Sequence, residues 1–498
     1  MIDYHALAPD LIMAGTVLVV LVVDIFTRHE RKYLTALTAM AGIVVASFPL
    51  VTLGFSEVGA RTMLDGSYVV DEFAIALKAF FLFVAFVTVL LSFSYIEGDR
   101  YYQGEFYFLL LSSILGAMLM ASARDMVTMF VALELVSGPA FLMAGWRKGD
   151  ARSSEAALKM FIIGVLSAAV FLFGMSLIYG ATSSVLFADI AAVLSAADAA
   201  IRPAIILGVL FILVGFGFKV SAVPFHFWAP DTYEGAPTPV TAYLSVGSKA
   251  AGFIGLLTML YQAFRPVADI WGPAIWIIAI ASMTLGNLVA LRQENIVRLL
   301  AYSSISHAGF MLVPFAMAFV YDDAGLDQAF SATITYLIIY GIMNLGAFGL
   351  VIAASRRVGS GNVSDWNGLG QYSPDLAILL TIFMFSLAGV PPFAGWFAKF
   401  EMFRSVANAF SGSDGAVWAA VLAGAAAINA VIAFFYYARL VVAAWFLPVK
   451  EGFVPRTVSV APSLAFALSI SAVAVMVIGV LPWLVSEVSQ FSTLVAGG

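Results

Sequence analysis

The sequence predicts an all-α polytopic membrane protein of about fourteen transmembrane helices, and three observations carry that prediction. Hydrophobic residues make up 62% of the 498, where a soluble globular chain has roughly 45–50%. Charged residues make up 11%, where ~25% is usual, and mean hydropathy is +1.00. The apolar residues fall in runs of about 20, the length that spans a bilayer as a helix. A soluble fold could not cover itself with so little polar surface. The same figures exclude a disordered, coiled-coil or nucleic-acid-binding chain, and the net charge of −6 leaves no basic face.

Cysteine is absent, which removes disulfides, Fe–S clusters, thiolate zinc sites and a Cys nucleophile. Four histidines, His5, His29, His226 and His307, argue against haem or multi-His metal ligation. No Gly-rich phosphate loop follows a strand, so no nucleotide site is read. The opening Met1-Ile2-Asp3-Tyr4-His5 lacks the basic segment of a signal peptide, so the first apolar run is expected to be a retained helix.

The expected helices are at 9–27, 33–55, 72–96, 105–122, 125–146, 155–180, 203–229, 237–261, 270–291, 296–321, 328–354, 374–403, 416–447 and 458–487. The longer connections, 181–202 and a turn-rich 356–373, leave no room for a large extramembrane domain. Basic residues test this layout, because cytoplasmic loops carry an excess of them. Loops after odd-numbered helices hold thirteen: Arg28, Arg31, Lys32, Arg100, Arg147, Lys148, Arg152, Arg292, Arg298, Arg356, Arg357, Lys450 and Arg456. Loops after even-numbered helices hold four: Arg61, Arg124, Arg202 and Arg265. The asymmetry puts the first set in the cytoplasm and both termini outside.

Seven basic residues remain inside the expected helices: Lys78, Lys159, Lys219, Lys249, Lys399, Arg404 and Arg439. Each costs about 2.5–3.5 kcal/mol on insertion scales, so such residues face a polar interior and mark ion or proton paths. Helix 7 is interrupted at Val223-Pro224-Phe225-His226, and helix 12 at Val390-Pro391-Pro392-Phe393. Proline removes a backbone donor, and irregular backbone at membrane depth needs protein or a wet cavity around it. Both breaks combine Val-Pro, Phe, Trp and a nearby Lys, five helices apart, so they cross the membrane in opposite senses. Paired breaks of this kind mark inverted repeats. The expected division is 1–104 (helices 1–3), 105–265 (a first five-helix repeat, helices 4–8), 266–450 (the inverted repeat, helices 9–13) and 451–498 (helix 14).

The candidate proton carriers come from this inventory. Glu134 lies mid-helix in Phe130-Val131-Ala132-Leu133-Glu134-Leu135; a structural ion pair is the plainer alternative to a proton site. Lys219 precedes the helix-7 break. Burial and a neighbouring carboxylate push a lysine's proton affinity in opposite directions, so a lysine balanced between them can load and unload. The plainer alternative is donation to carbonyls freed by Pro224. Lys249 sits centrally among Gly247, Ser248, Ala250, Ala251 and Gly252, too deep to snorkel. Lys399 follows the helix-12 break, with a local cluster with Glu401 and Arg404 as its alternative. Lys159, four residues after Glu155, is equally explained by a surface i,i+4 pair, and Lys78 and Arg439 are placed within reach of an interface. His226 and His307 are either structural or relay residues.

These residues resemble the antiporter-like membrane subunits of respiratory complex I, which are related to multisubunit sodium/proton antiporters. The resemblance rests on Leu133-Glu134-Leu135, Ser154-Glu155-Ala156-Ala157-Leu158-Lys159, Phe218-Lys219-Val220-Ser221-Ala222-Val223-Pro224-Phe225-His226-Phe227-Trp228, Pro230-Asp231, Tyr233-Glu234-Gly235-Ala236-Pro237-Thr238, Ser248-Lys249, Ala301-Tyr302-Ser303-Ser304-Ile305-Ser306-His307-Ala308-Gly309 and Pro391-Pro392-Phe393. Ala8-Pro9-Asp10-Leu11, Val22-Val23-Asp24 and the stop after helix 14, with no long lateral helix, resemble one branch of that family. Lys399 stands where a sister branch carries Glu.

The resemblance implies roles. Glu134 and Lys219 would be a coupled acid–base pair, with Lys159 as a modulating partner. Lys249 would be the central connecting lysine, Lys399 the terminal proton site, and His226 and His307 members of the polar axis. Protons would pass from the cytoplasm outward across a bacterial inner membrane. The chain itself would hold no cofactor; NAD, FMN, Fe–S clusters and quinone would belong to partner subunits. Its partners would be the other membrane subunits of complex I, the lipid bilayer and protons, with no nucleic acid. Between Lys249 and Lys399 the sequence offers His307, Ser and Thr, so water is expected to complete the path. A cation/proton antiporter subunit and a purely structural subunit are the competing readings.

Overall fold

Each of the fourteen apolar stretches holds a helix. The computed structural model describes all residues except 1, 57–58, 98–103, 197–199, 412–414, 451, 453–458 and 491–498, so Arg100 and Arg456 lie outside the described residues. Helices 1 to 6 are Tyr4–Phe26, Tyr33–Gly54, Glu72–Glu97, Glu105–Ser122, Met126–Ala144 and Ala151–Thr182. Helix 7 is split into 7a (Arg202–Lys219) and 7b (Trp228–Gly235). Helices 8 to 11 are Thr238–Ala263, Ala268–Ala290, Ile296–Leu312 and Asp323–Val358. Helix 12 is split into 12a (Pro374–Ala388) and 12b (Gly395–Ala407). Helix 13 is Ala416–Phe446, and helix 14, Pro462–Val480, continues after a turn as Trp483–Gln490. Among the described residues twelve of these are long and apolar enough to span a bilayer, while helix 10 and helix 12a are apolar but shorter.

Local chemistry sets the helix ends. Asp125, Asp150 and Asn295 cap helices 5, 6 and 10, each side-chain oxygen accepting two free backbone N–H groups of the first turn. Replacing Asp150 by alanine is expected to cost about 1 kcal/mol, seen as a lower thermal unfolding midpoint; Asp150→Asn, an equally good cap, should cost little. The most apolar stretches of helices 8 and 11 are enclosed on all sides. Helices 6 and 13 turn Phe161, Ile162 and Leu166, and Val431, Phe434 and Phe435, outward, which suits contact with lipid chains. Helix 5 packs along helix 4 and helix 10 along helix 9, while 7b lies on helix 6 and 12b on helix 11.

Several expectations need correction. An antiparallel hairpin, Arg61–Met63 with Tyr68–Val70, pairs Arg61 with Val70 between helices 2 and 3; strands of three residues are too short to show alternation. Helix 10 ends at Leu312, nine residues early, although Val313 and Pro314 keep helical backbone angles and a tighter turn follows at Phe315–Met317; Pro314 has no N–H with which to continue the helical hydrogen bonds. The connection 181–202 contains a helix, Phe187–Ser195. Helix 8 widens into π-helical turns at Leu244–Ser248 and Met259–Ala263. Lys78 does not snorkel: it is 0% exposed and donates to Asp10 Oδ2 at 2.6 Å and to the Tyr68 hydroxyl at 3.0 Å.

Candidate functional site

Lys219 is the last residue of 7a, and the backbone beyond it turns through Ser221 at φ +57°. The chain then passes through a cis Val223-Pro224 bond, with Val223 N–H donating to Ser282 Oγ at 2.9 Å. The Phe218 carbonyl at the break accepts the Trp228 indole at 3.2 Å. Lys219 does not serve such carbonyls: it is buried, and its Nζ makes no hydrogen bond among the described residues. Its charged neighbour is Glu134 of helix 5, half-buried and within electrostatic reach but not hydrogen-bonded. Gly252 of helix 8 permits the close packing here, since a Cβ there would meet Lys219 Cβ at 2.8 Å.

Lys249 lies in the enclosed part of helix 8 and reaches helix 10, donating to the Ser304 carbonyl at 2.8 Å and to Ser304 Oγ at 2.5 Å. From Ser304 the polar groups continue along helix 10. The neighbouring Ser303 hydroxyl shares a hydrogen bond with the Tyr437 hydroxyl of helix 13. Tyr437 also shares one with His307 Nε2 at 3.1 Å, and His307 Nδ1 shares another with the Tyr336 hydroxyl of helix 11 at 2.9 Å. Asn344 donates to the Tyr340 hydroxyl at 3.0 Å and to Ser245 Oγ at 2.9 Å. A hydroxyl or imidazole both gives and takes a proton, so the chain Ser303–Tyr437–His307–Tyr336 can pass one without a fixed charge in between.

Lys399 closes the far side. Its Nζ donates to the Ala388 carbonyl at 2.5 Å, at the end of 12a, and lies 5.4 Å from the centre of the Phe310 ring. The role weighed for Lys219, satisfying carbonyls freed at a break, is thus the geometry of Lys399. Glu401 and Arg404 pair with each other at 3.2 Å and not with Lys399. Gly389, at φ +87°, leaves space for this arm: a Cβ there would meet Lys399 Cδ at 2.7 Å. His307 lies between the lysines and is acted on electrostatically by both Lys249 and Lys399.

Two expected members stand apart. Lys159 is 41% exposed and pairs with Glu155 and with Asp231, both at 2.6 Å, so no hydrogen bond joins it to Glu134 or Lys219. Asp231, beyond the spanning part of helix 7, also accepts from Arg298 at 2.9 Å, which bonds Glu234 at 2.8 Å. This network ties helix 6, 7b and helix 10 together. His226 packs in the helix-7 break with its ring 4.5 Å from that of Phe227, and no side-chain hydrogen bond joins it to either lysine.

Burial pushes the Asp231 carboxyl up, but hydrogen bonds from Lys159 and Arg298 outweigh it and hold the group below its ordinary 3.8. A depressed carboxyl stabilises the fold above its unfolded value and loses that contribution as pH falls through its folded value. Thermal unfolding followed from neutral to about pH 3 should therefore show an acid loss that is shallower in Asp231→Asn.

Tyrosines join His307 in the stretch between Lys249 and Lys399. Tyr336, Tyr340 and Tyr437 were missed because they come from helices 11 and 13 and are apolar by composition. The spacing of Tyr336, Tyr340 and Asn344, four residues apart on one helix face, was the available signal. Tyr436, donating to Asn287 at 3.1 Å, and Asn429, bonded to Asn287 at 3.1 Å, extend the same cluster.

Two helices broken inside an apolar bundle, with buried lysines and a hydroxyl–imidazole chain among them, define an antiporter-like membrane subunit. Residues 123–428 match the family described as NADH:quinone oxidoreductase/Mrp antiporter, TM, and the chain belongs to that family. It is 38% identical over 490 residues to NADH-quinone oxidoreductase subunit N of Trichlorobacter lovleyi, covering 98% of this chain and 96% of that one. This is the branch that Ala8-Pro9-Asp10-Leu11 resembles. A chain of respiratory complex I from Thermus thermophilus, solved with bound aureothin, matches at 30% identity and a TM-score of 0.77, covering 96% of this chain and 98% of that one. A chain of the Mrp complex from Dietzia sp. DQ12-45-1b matches with a TM-score of 0.82 at 18% identity, covering 98% and 97%; this likeness is one of fold alone.

Proposed function

We propose that this chain is the proton-translocating N subunit of a NADH–quinone oxidoreductase. It moves protons from the cytoplasm outward while NAD, FMN, Fe–S clusters and quinone react in other subunits. The observation that carries the reading is a pair of hydrogen-bonded segments that meet at neighbouring residues of helix 10, Lys249–Ser304 and Ser303–Tyr437–His307–Tyr336. Lys219 with Glu134 lies at one end of it and Lys399 at the other. Lys219 is the loading group, because its amine has the Glu134 charge nearby and no hydrogen bond holding its proton. A change in the Glu134–Lys219 separation would shift the balance between attraction and burial and release the proton toward Lys249.

The excess of Lys and Arg after odd-numbered helices supports an orientation with both termini periplasmic. The matching partnerships of helices 4 and 5 with 9 and 10, and of 6 and 7b with 11 and 12b, support the division into residues 105–265 and an inverted 266–450. Lysine-to-alanine variants at 219 and 399 in the assembled complex test the function. NADH oxidation and proton uptake by inverted vesicles should both be measured, with loss of uptake per NADH expected at intact assembly. Normal uptake in both variants overturns the proposal and leaves a structural subunit. A sodium requirement without any NADH-oxidising partner would favour the antiporter reading.

A further inference from the structure

The residues just beyond helices 4 and 6, the last turn of helix 8 and the hairpin after helix 2 enclose a pocket of about 580 Å³. That volume is in the range of small-molecule sites, and none of the buried lysines lines it. Helix 4 ends at Ser122, helix 6 at Thr182 and helix 8 at Ala263. The pocket therefore sits where spanning helices end, at the depth of lipid headgroups.

Arg124 is built into its wall. Its backbone N–H donates to the Ser67 carbonyl at 2.8 Å, and its carbonyl accepts the Phe187 N–H at 3.0 Å. It thereby ties the hairpin to the short helix Phe187–Ser195. Its side chain is 5% exposed and donates to Asp71 Oδ2 at 2.7 Å and to the Ala121 and Ala123 carbonyls at 3.0 Å. The Arg124 Nε–H is buried and has no acceptor among the described residues, and the same holds for Nε2 of Gln262, which also lines the pocket. A buried donor left without an acceptor is costly, and two on one pocket mark the place of a ligand oxygen. Arg265, stacked on the Tyr261 ring at 5.2 Å, adds a cation. The exposed Asp65 and Asp189 add carboxylates, while Leu186 and Phe187 supply apolar wall.

We propose that this pocket binds the head of a zwitterionic phospholipid, one that carries a primary ammonium beyond its phosphate. The phosphate oxygens accept the Arg124 Nε–H and the Gln262 amide, with Arg265 as the matching charge. The ammonium meets Asp65 and Asp189. The acyl chains lie on Leu186 and Phe187 and pass to helix 6, which turns Leu172, Phe173 and Tyr179 outward. An anionic lipid without the ammonium leaves the two carboxylates unmatched. A water-soluble phosphate ester leaves the apolar wall uncovered.

The test uses the complete complex in vesicles containing a trace of phosphatidylethanolamine with a photoreactive diazirine on one acyl chain. After irradiation, labelled peptides are mapped. Labelling of residues 183–195 and 259–267 is expected several-fold above that of the outward face of helix 13. Ala191→Trp, which fills the pocket without altering a charge, should lower it several-fold, as should Gln262→Leu with Arg265→Ala. A phosphatidylglycerol probe should label several-fold less, and Asp65→Asn with Asp189→Asn should erase that difference. Labelling no higher than on helix 13, or unchanged in Ala191→Trp and in the Gln262–Arg265 variant, overturns the site. Equal labelling of the wild type by both probes overturns the zwitterionic assignment. Displacement of the probe by dissolved phosphoethanolamine as readily as by added phosphatidylethanolamine overturns the lipid in favour of a free phosphate ester. The wild-type map stands even if a variant assembles poorly. None of these readouts involves proton uptake, so failure here leaves the translocating function untouched.

Discussion

Lys249→Met is expected to stop proton uptake while leaving the complex assembled. Methionine matches the length of lysine and suits the apolar interior, so packing around helix 8 should hold. What disappears is the donor that reaches Ser304 Oγ and its carbonyl across to helix 10, and with it the junction of the two halves. Loss of one positioned group from a transfer chain should lower the rate by roughly tenfold or more, a barrier increase of about 1.4 kcal/mol or greater. Proton uptake per NADH oxidised in inverted vesicles measures it. Ser304→Ala should show a smaller loss, and the double variant should fall short of the sum, since the two groups act through one contact. Wild-type uptake in Lys249→Met would remove the junction from the mechanism.

Asp10→Ala is expected to give the largest loss of stability. Asp10 of helix 1 accepts Lys78 of helix 3 at 2.6 Å and the Tyr68 hydroxyl at 2.8 Å, in a site where Lys78 is wholly enclosed. Removing the carboxylate leaves a buried ammonium without its counter-charge, which costs about 3–5 kcal/mol. That is a large part of the stability of a typical domain, so the subunit should be depleted from purified complex and unfold at lower temperature. Asp10→Leu combined with Lys78→Met replaces the pair by apolar groups and should recover most of the loss. An unchanged unfolding midpoint in Asp10→Ala would show that water reaches Lys78.

This pair also shows where reading the sequence stops. Lys78 lies seven residues into helix 3, so by position alone it is close enough to an end to snorkel. Only the packing of helix 1 and the hairpin over it turns the same residue into an enclosed ion pair. Lys159 shows the opposite case. Its i,i+4 relation to Glu155 is a local property and is present as expected, but its second partner, Asp231, is 72 residues away. The tyrosines of helices 11 and 13 reach His307 from 29 and 130 residues away, beyond any spacing rule.

By itself the sequence determined the membrane class, where the apolar helices lie, the two breaks and the lysines worth testing. Each follows from composition, from the ~20-residue length of a spanning helix, or from proline and charge at membrane depth. The tertiary structure alone decided which polar groups meet. It separated Lys219, with no hydrogen bond, from Lys399, which holds the carbonyl at its break. It also brought the phenols of helices 11 and 13 onto His307. The physical reason is range. Hydropathy and periodicity act along one helix, whereas a hydrogen bond of about 3 Å depends on how separate helices pack, and that is fixed by all their faces at once.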